Sequence, residues 1–235
     1  MPLPRQSLRA RRRLQEFQAV CFDLDGVLID TMPLHALAWQ QALRPLGLSV
    51  SCRRIYAWEG ESGMVTARTL LSSRGTPRPS LRAKRELLAA KEQCFRAMAS
   101  RAKVNRTLAR LVALLDRRRT PLGLVTGTSR DEVRRAVPAS LLTRFDVVVT
   151  GDRVRRGKPH PEPYRTAFRR LRVRPERAIV VENAPYGIRS ARRAGAGFVA
   201  ALASSLPAKH LFGADAVAET AEDLAEQLKR LMAVD

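Results

Sequence analysis

Residues 19–30 read Ala-Val-Cys-Phe-Asp-Leu-Asp-Gly-Val-Leu-Ile-Asp, and no other stretch limits the possible folds so strongly. A four-residue apolar run without alternation, residues 19–22, predicts a strand buried on both faces, as in a parallel sheet covered by helices. The run stops at two carboxylates one residue apart, Asp23 and Asp25, followed by Gly26. Side chains repeat every two residues along a strand, so both acids begin on the same side of its end. Ligands of open α/β sheets bind beyond the carboxyl ends of the strands. Two acids there are costly unless a cation or a reaction uses them, and Gly26 lets the backbone pass close to whatever binds. The plainer reading of the same residues is a strand running into an acidic Asp-Gly turn.

The following residues separate into two regimes. Residues 33–46 carry Leu34, Leu37, Ala38, Leu43 and Leu46 at helical spacing, and 81–99 predict a long helix. Between residues 30 and 103 the pattern is helical throughout, with breaks at Gly60, Gly63 and 75–79 and no buried strand. From Val104 onward strands and helices alternate, the signature of a doubly wound sheet. Strands are expected at 122–126, 146–150, 178–181, 198–202 and 214–217. Helices are expected at 108–115, 130–137, 162–171, 184–194 and 221–232.

Three of these strands end in reactive groups. Leu-Gly-Leu-Val-Thr-Gly-Thr ends in hydroxyls and a glycine, a cradle for phosphate oxygens if backbone N–H groups open there. Thr128 or Ser129 equally serves as the cap of the next helix. In Arg-Gly-Lys-Pro-His-Pro-Glu-Pro, Lys158 sits between glycine and proline, with few conformations to lose on ordering. His160 reads as loop structure rather than as a catalytic group. Ala-Ile-Val-Val-Glu-Asn ends in Glu182 and Asn183.

Together with Asp-Leu-Asp-Gly-Val-Leu-Ile-Asp-Thr, these motifs resemble the haloacid-dehalogenase-like hydrolases, most closely the phosphatase and β-phosphoglucomutase branch. The resemblance implies a doubly wound core at residues 18–31 and 104–235 with a helical cap at 32–103, after a basic lead-in at 1–17. It makes Asp23 the nucleophile of an aspartyl-phosphate, kept ionised by Lys158 and a metal. Asp25 becomes the general acid for the leaving alcohol and then the base for water, so it must carry a proton at the first step. Thr126, Gly127 and Lys158 hold the phosphate, and Mg²⁺ falls to Asp23, the Asp25 carbonyl, Glu182 and Asn183. The fourth motif commonly carries a pair of acids, and here Asn183 stands in the second place; magnesium accepts amide oxygens but prefers carboxylates.

In the cap, His35 either supports the acid or touches the substrate, or is a polar residue of an amphipathic helix. The segment around Gly60 occupies the place where the family's cap reads its substrate. It lacks an arginine for a second phosphate, and Arg68, one turn on, is the candidate substitute. That gap favours a Mg²⁺-dependent phosphatase of a small metabolite, a sugar phosphate or phosphoglycolate, over a sugar phosphomutase.

The net charge of +21 bears on a third reading, a nucleic-acid or acidic-partner binder on an old enzyme scaffold. The arginine excess is spread over many predicted elements, which favours a solvated surface. No zinc-finger spacing or aromatic RNA-binding motif accompanies it. Three cysteines, Cys21, Cys52 and Cys94, lack metal-type spacing and are odd in number, which points to a reduced cytoplasmic setting. No apolar run approaches the ~20 residues of a membrane span. A monomer is expected.

Overall fold

A computed structural model describes residues 17–58, 60–72 and 78–234. The basic lead-in at 1–16, Glu59 and most of the break at 75–79 lie outside the described residues. Among those described, strands β1 (Ala19–Phe22), β4 (Leu122–Val125), β5 (Val147–Val149), β6 (Ala178–Glu182), β7 (Phe198–Leu202) and β8 (Ala216–Ala218) form one parallel sheet. Its order is β5-β4-β1-β6-β7-β8, with Val20 paired to Leu122 on one side and to Ile179 on the other.

The first strand is central and its four residues have no exposed surface. Val20 and Phe22 join a core that includes Leu111, Leu115, Leu224 and Leu228 of the helices Arg106–Arg117 and Ala221–Met232. Ala19 and Cys21 join a second core on the other face, with Phe168 and Ile188 of the helices Glu162–Leu171 and Pro185–Ala194. Alternate side chains of one strand thus feed two hydrophobic layers, which is why the run shows no polar alternation.

A helical insertion separates β1 from the rest of the sheet. Its helices Met32–Leu43, Cys52–Ala57, Gly63–Ser72 and Leu81–Met98 surround a separate cluster that contains Trp39, Leu43, Ile55, Leu70 and Leu87. The edges of the insertion carry a pairing that the sequence did not signal. Two-residue strands β2 (Ile29–Asp30) and β3 (Lys103–Val104) pair antiparallel where the insertion leaves and rejoins the core. Two residues give no periodicity to read, so only the fold reveals this ribbon.

Candidate active site

The ends of four parallel strands converge on one buried cluster. Beyond β1, Asp23 is fully buried and its Oδ1 accepts a hydrogen bond from Lys158 Nζ at 2.5 Å. Lys158 follows β5 in the chain and also donates to Glu182 Oε1, at the end of β6, at 2.6 Å. Tyr164, on the helix Glu162–Leu171, donates its hydroxyl to the same Glu182 oxygen at 2.6 Å. The other Glu182 oxygen accepts from the Asn183 backbone N–H at 3.1 Å. Both oxygens of Glu182 are therefore engaged within the protein.

One ammonium serves two carboxylates here. Burial works against the Lys158 charge, yet Asp23 and Glu182 outweigh it and hold the group ionised above the ordinary lysine range. Burial lifts the Asp23 carboxyl well above the usual carboxylate range; Lys158 opposes this, while Glu182 and Asp25 add to the rise. Lys158 thus favours the ionised form of Asp23, as the resemblance implied, while sharing its charge with Glu182 and working against burial.

Asp25 has the opposite setting. Its Oδ1 accepts from the Thr31 hydroxyl at 2.5 Å and contacts His35 Nε2 at 3.1 Å. Its Oδ2 accepts from the hydroxyls of Thr126 at 2.9 Å and Thr128 at 2.7 Å. Burial alone would raise this carboxyl, but His35 and the hydroxyls of Thr31 and Thr128 hold it below the ordinary range. This arrangement favours ionised Asp25, whereas the acid half of the expected chemistry starts from the protonated form. The Thr126 hydroxyl, expected at a phosphate, here donates to Asp25 and accepts from Thr128 N at 3.0 Å.

The donor set fits a divalent cation at one point. Asp23 Oδ2 and Asn183 Oδ1 are buried and have no hydrogen-bond partner among the described residues. Two orphaned oxygens in a dry site are what a hard cation satisfies. Gly26, at φ +80°, brings the β1 loop so close that a Cβ there would stand 2.2 Å from Asn183 Nδ2. Among the described residues, no three His, Cys, Asp or Glu side chains form a metal-holding group.

The helical insertion sits on this cluster. A Cβ on Gly127 would lie 2.8 Å from the Gly60 backbone, and one on Gly60 would lie 2.5 Å from Lys158 Cδ, so bare backbone forms the seam. Beside the seam a cavity of about 320 Å³ is lined from the insertion by His35, Trp58 and Glu61 and from the core by Thr128 and Ser129. Asp23, Asp25, Thr126, Lys158, Glu182, Asn183 and His35 are brought together, with Gly60 and Gly127 at the seam. Arg68 is exposed and does not line the cavity itself, though its charge acts on Glu61, which does.

Sequence reasoning missed Thr31, Thr128 and Tyr164 as members of the cluster. Thr31 closes the Asp-Leu-Asp-Gly-Val-Leu-Ile-Asp-Thr motif, and Thr128 figured only as a cap, a role that Ser129 fills. Tyr164 left no sequence signal; only the packing of its helix against β4, β5 and β1 sets its hydroxyl on Glu182.

Comparison with known proteins gives a consistent picture. The profile described as haloacid dehalogenase-like hydrolase matches residues 17–195. A validoxylamine A 7'-phosphate phosphatase of Streptomyces hygroscopicus subsp. limoneus is 34% identical over 201 residues, covering 85% of this chain and 92% of that protein. A phosphorylated carbohydrates phosphatase of Thermotoga maritima is 31% identical over 206 residues, covering 86% and 93%. The crystal structure of CbbY from Rhodobacter sphaeroides in complex with phosphate superposes with a TM-score of 0.72 at 27% identity, covering 88% of this chain and 96% of that one.

Proposed function

The chain belongs to the haloacid dehalogenase-like hydrolases, and on that premise we propose that it is a phosphatase that hydrolyses a small phosphomonoester through a phosphorylated Asp23. The observation that carries the reading is the state of Asp23: buried, one oxygen on Lys158, the other without a hydrogen-bond partner among the described residues. A carboxylate removed from water and fixed by one cation is a positioned nucleophile.

Asp23 attacks phosphorus, the bond from phosphorus to the alcohol oxygen breaks, and that oxygen takes a proton from Asp25. In the second half, water attacks the phosphorylated Asp23 while Asp25 removes its proton, releasing phosphate and the free carboxylate. The four contacts at Asp25 suit this second half, which needs the ionised form. The first half needs a proton on Asp25, and His35 Nε2 is the touching group that can bring one. Lys158 opposes the negative charge of Asp23 and of the incoming phosphate. Asp23 Oδ2 and Asn183 Oδ1, with the Asp25 carbonyl, would hold Mg²⁺, which neutralises charge between nucleophile and phosphate when bound.

The relatives named for validoxylamine A 7'-phosphate and for phosphorylated carbohydrates direct the substrate reading to phosphorylated carbohydrates. Phosphate release from a panel of phosphorylated carbohydrates and phosphoglycolate, with and without Mg²⁺, tests the proposal. Release by the wild type and none by Asp23→Asn supports it; release unaffected by that substitution overturns it. A requirement for a bisphosphate activator, with transfer to a second hydroxyl, would instead identify a phosphomutase.

A further inference from the structure

The cavity beside Asp25 has a charge pattern of its own. Its buried cation among the described residues is Lys91, on the helix Leu81–Met98 of the insertion. Lys91 Nζ donates to Glu132 Oε1 at 2.9 Å, and both side chains are less than a tenth exposed. Glu132 belongs to the core helix Arg130–Ala136, where its other oxygen accepts from the Ser129 hydroxyl at 3.1 Å. The pair thus crosses from insertion to core inside the wall of the cavity.

Beyond that pair, Glu61 and Glu92 also line the cavity. Glu61 has no hydrogen bond or ion pair from its carboxylate among the described residues. Burial lifts it to about 7, with Arg68 opposing. Burial and the neighbouring Glu132 lift Glu92 as well, against Lys91 and Arg96. Arg155 lies on the exposed part of the wall with exposed Asp152, whose Oδ1 accepts from Arg130 N and the Thr150 hydroxyl.

We propose that this cavity selects a monophosphate whose alcohol half is uncharged or amine-bearing, because Glu132 takes up Lys91 and leaves an excess of carboxylates facing the ligand. The inference rests on the phosphatase reading and narrows it. A second phosphate or a carboxylate on the substrate would enter beside Glu61 and Glu92 with no interior cation free of an ion pair among the described residues to meet it, and like charges in a partly dry space repel strongly. Hydroxyl and ammonium groups, by contrast, donate to those acids. Sugar and amino-sugar phosphates fit; phosphoglycolate and bisphosphates do not.

The test compares kcat/KM for a hexose monophosphate, the corresponding amino-hexose monophosphate, the corresponding phosphorylated aldonic acid, a hexose bisphosphate and phosphoglycolate. p-Nitrophenyl phosphate serves as a small control ester. The first two are expected to exceed the three doubly anionic compounds by at least about tenfold. Glu132→Gln, which frees Lys91, and Glu61→Gln should each shrink that ratio. Glu61 makes no bond that folding depends on, so its variant remains informative if Glu132→Gln folds poorly. Wild-type preference for the doubly anionic esters, or a ratio unmoved in Glu61→Gln, overturns the inference while leaving a phosphatase. Failure to hydrolyse even the control ester overturns the phosphatase reading, and this inference with it.

Discussion

Lys158 Nζ lies 2.5 Å from Asp23 Oδ1, with both side chains buried and their positions 135 apart in the chain. The same ammonium holds Glu182 at 2.6 Å, so two strand ends and the loop beyond a third meet on one positive charge.

Lys158→Met should therefore damage both stability and turnover. Removing one partner of a buried pair costs about 3–5 kcal/mol, and losing a charge aimed at the reacting phosphate costs about 10²–10³ in kcat. Without Lys158, which opposes the rise, the Asp23 carboxyl has a folded-state pKa raised further above its unfolded value. Such a group stabilises below the unfolded value, and the benefit is lost as pH rises through the folded one. Thermal melts across pH should accordingly show the variant's deficit growing from acid toward neutral pH.

Thr128 gives a cleaner pH test. Its hydroxyl donates to Asp25 Oδ2 at 2.7 Å and helps hold that carboxyl low. Thr128→Val removes a hydrogen bond to a charged group, worth about one pKa unit. The acidic limb of kcat, where Asp25 must lose its proton, should move to higher pH by that amount. An unmoved limb would mean that Asp25 is not the group titrating there.

Asn183 carries the prediction about metal. A carboxylate binds Mg²⁺ better than an amide oxygen. Asn183→Asp should lower the Mg²⁺ concentration for half-maximal activity by at least about tenfold. It should also increase the rise in melting temperature on adding Mg²⁺, a readout independent of turnover.

The Lys91–Glu132 pair predicts non-additive stability. Lys91→Met alone leaves Glu132 buried and uncompensated, at a cost of about 3–5 kcal/mol, whereas Lys91→Met with Glu132→Leu should recover most of it. Chemical denaturation of the two single variants and the double variant measures the coupling. Additive losses would show that the pair does not act as a unit.

The sheet was legible because a strand buried on both faces has no polar positions, and residues 19–22 and 178–181 advertise that directly. The helices 162–171 and 221–232 begin and end where their apolar spacing and flanking residues predict. Asp23, Asp25 and Lys158 were legible because each stands next to a strand end or between glycine and proline. Tyr164 and the pair Lys91–Glu132 were not. Each joins elements distant in sequence, and each partner alone reads as an ordinary residue of an amphipathic helix. The protonation preferences of Asp23 and Asp25 were also hidden. They depend on how many donors the folded chain gathers around each carboxylate, and residue spacing does not record that number.

The central claim is that Asp23 becomes phosphorylated. Rapid acid quenching during turnover with Mg²⁺, followed by mass analysis of the peptide spanning residues 19–30, tests it most directly. The wild type should carry one added phosphoryl group on Asp23, and Asp23→Asn should carry none and release no phosphate. Phosphate release by the wild type with that peptide never modified, or sustained release by Asp23→Asn, would contradict it.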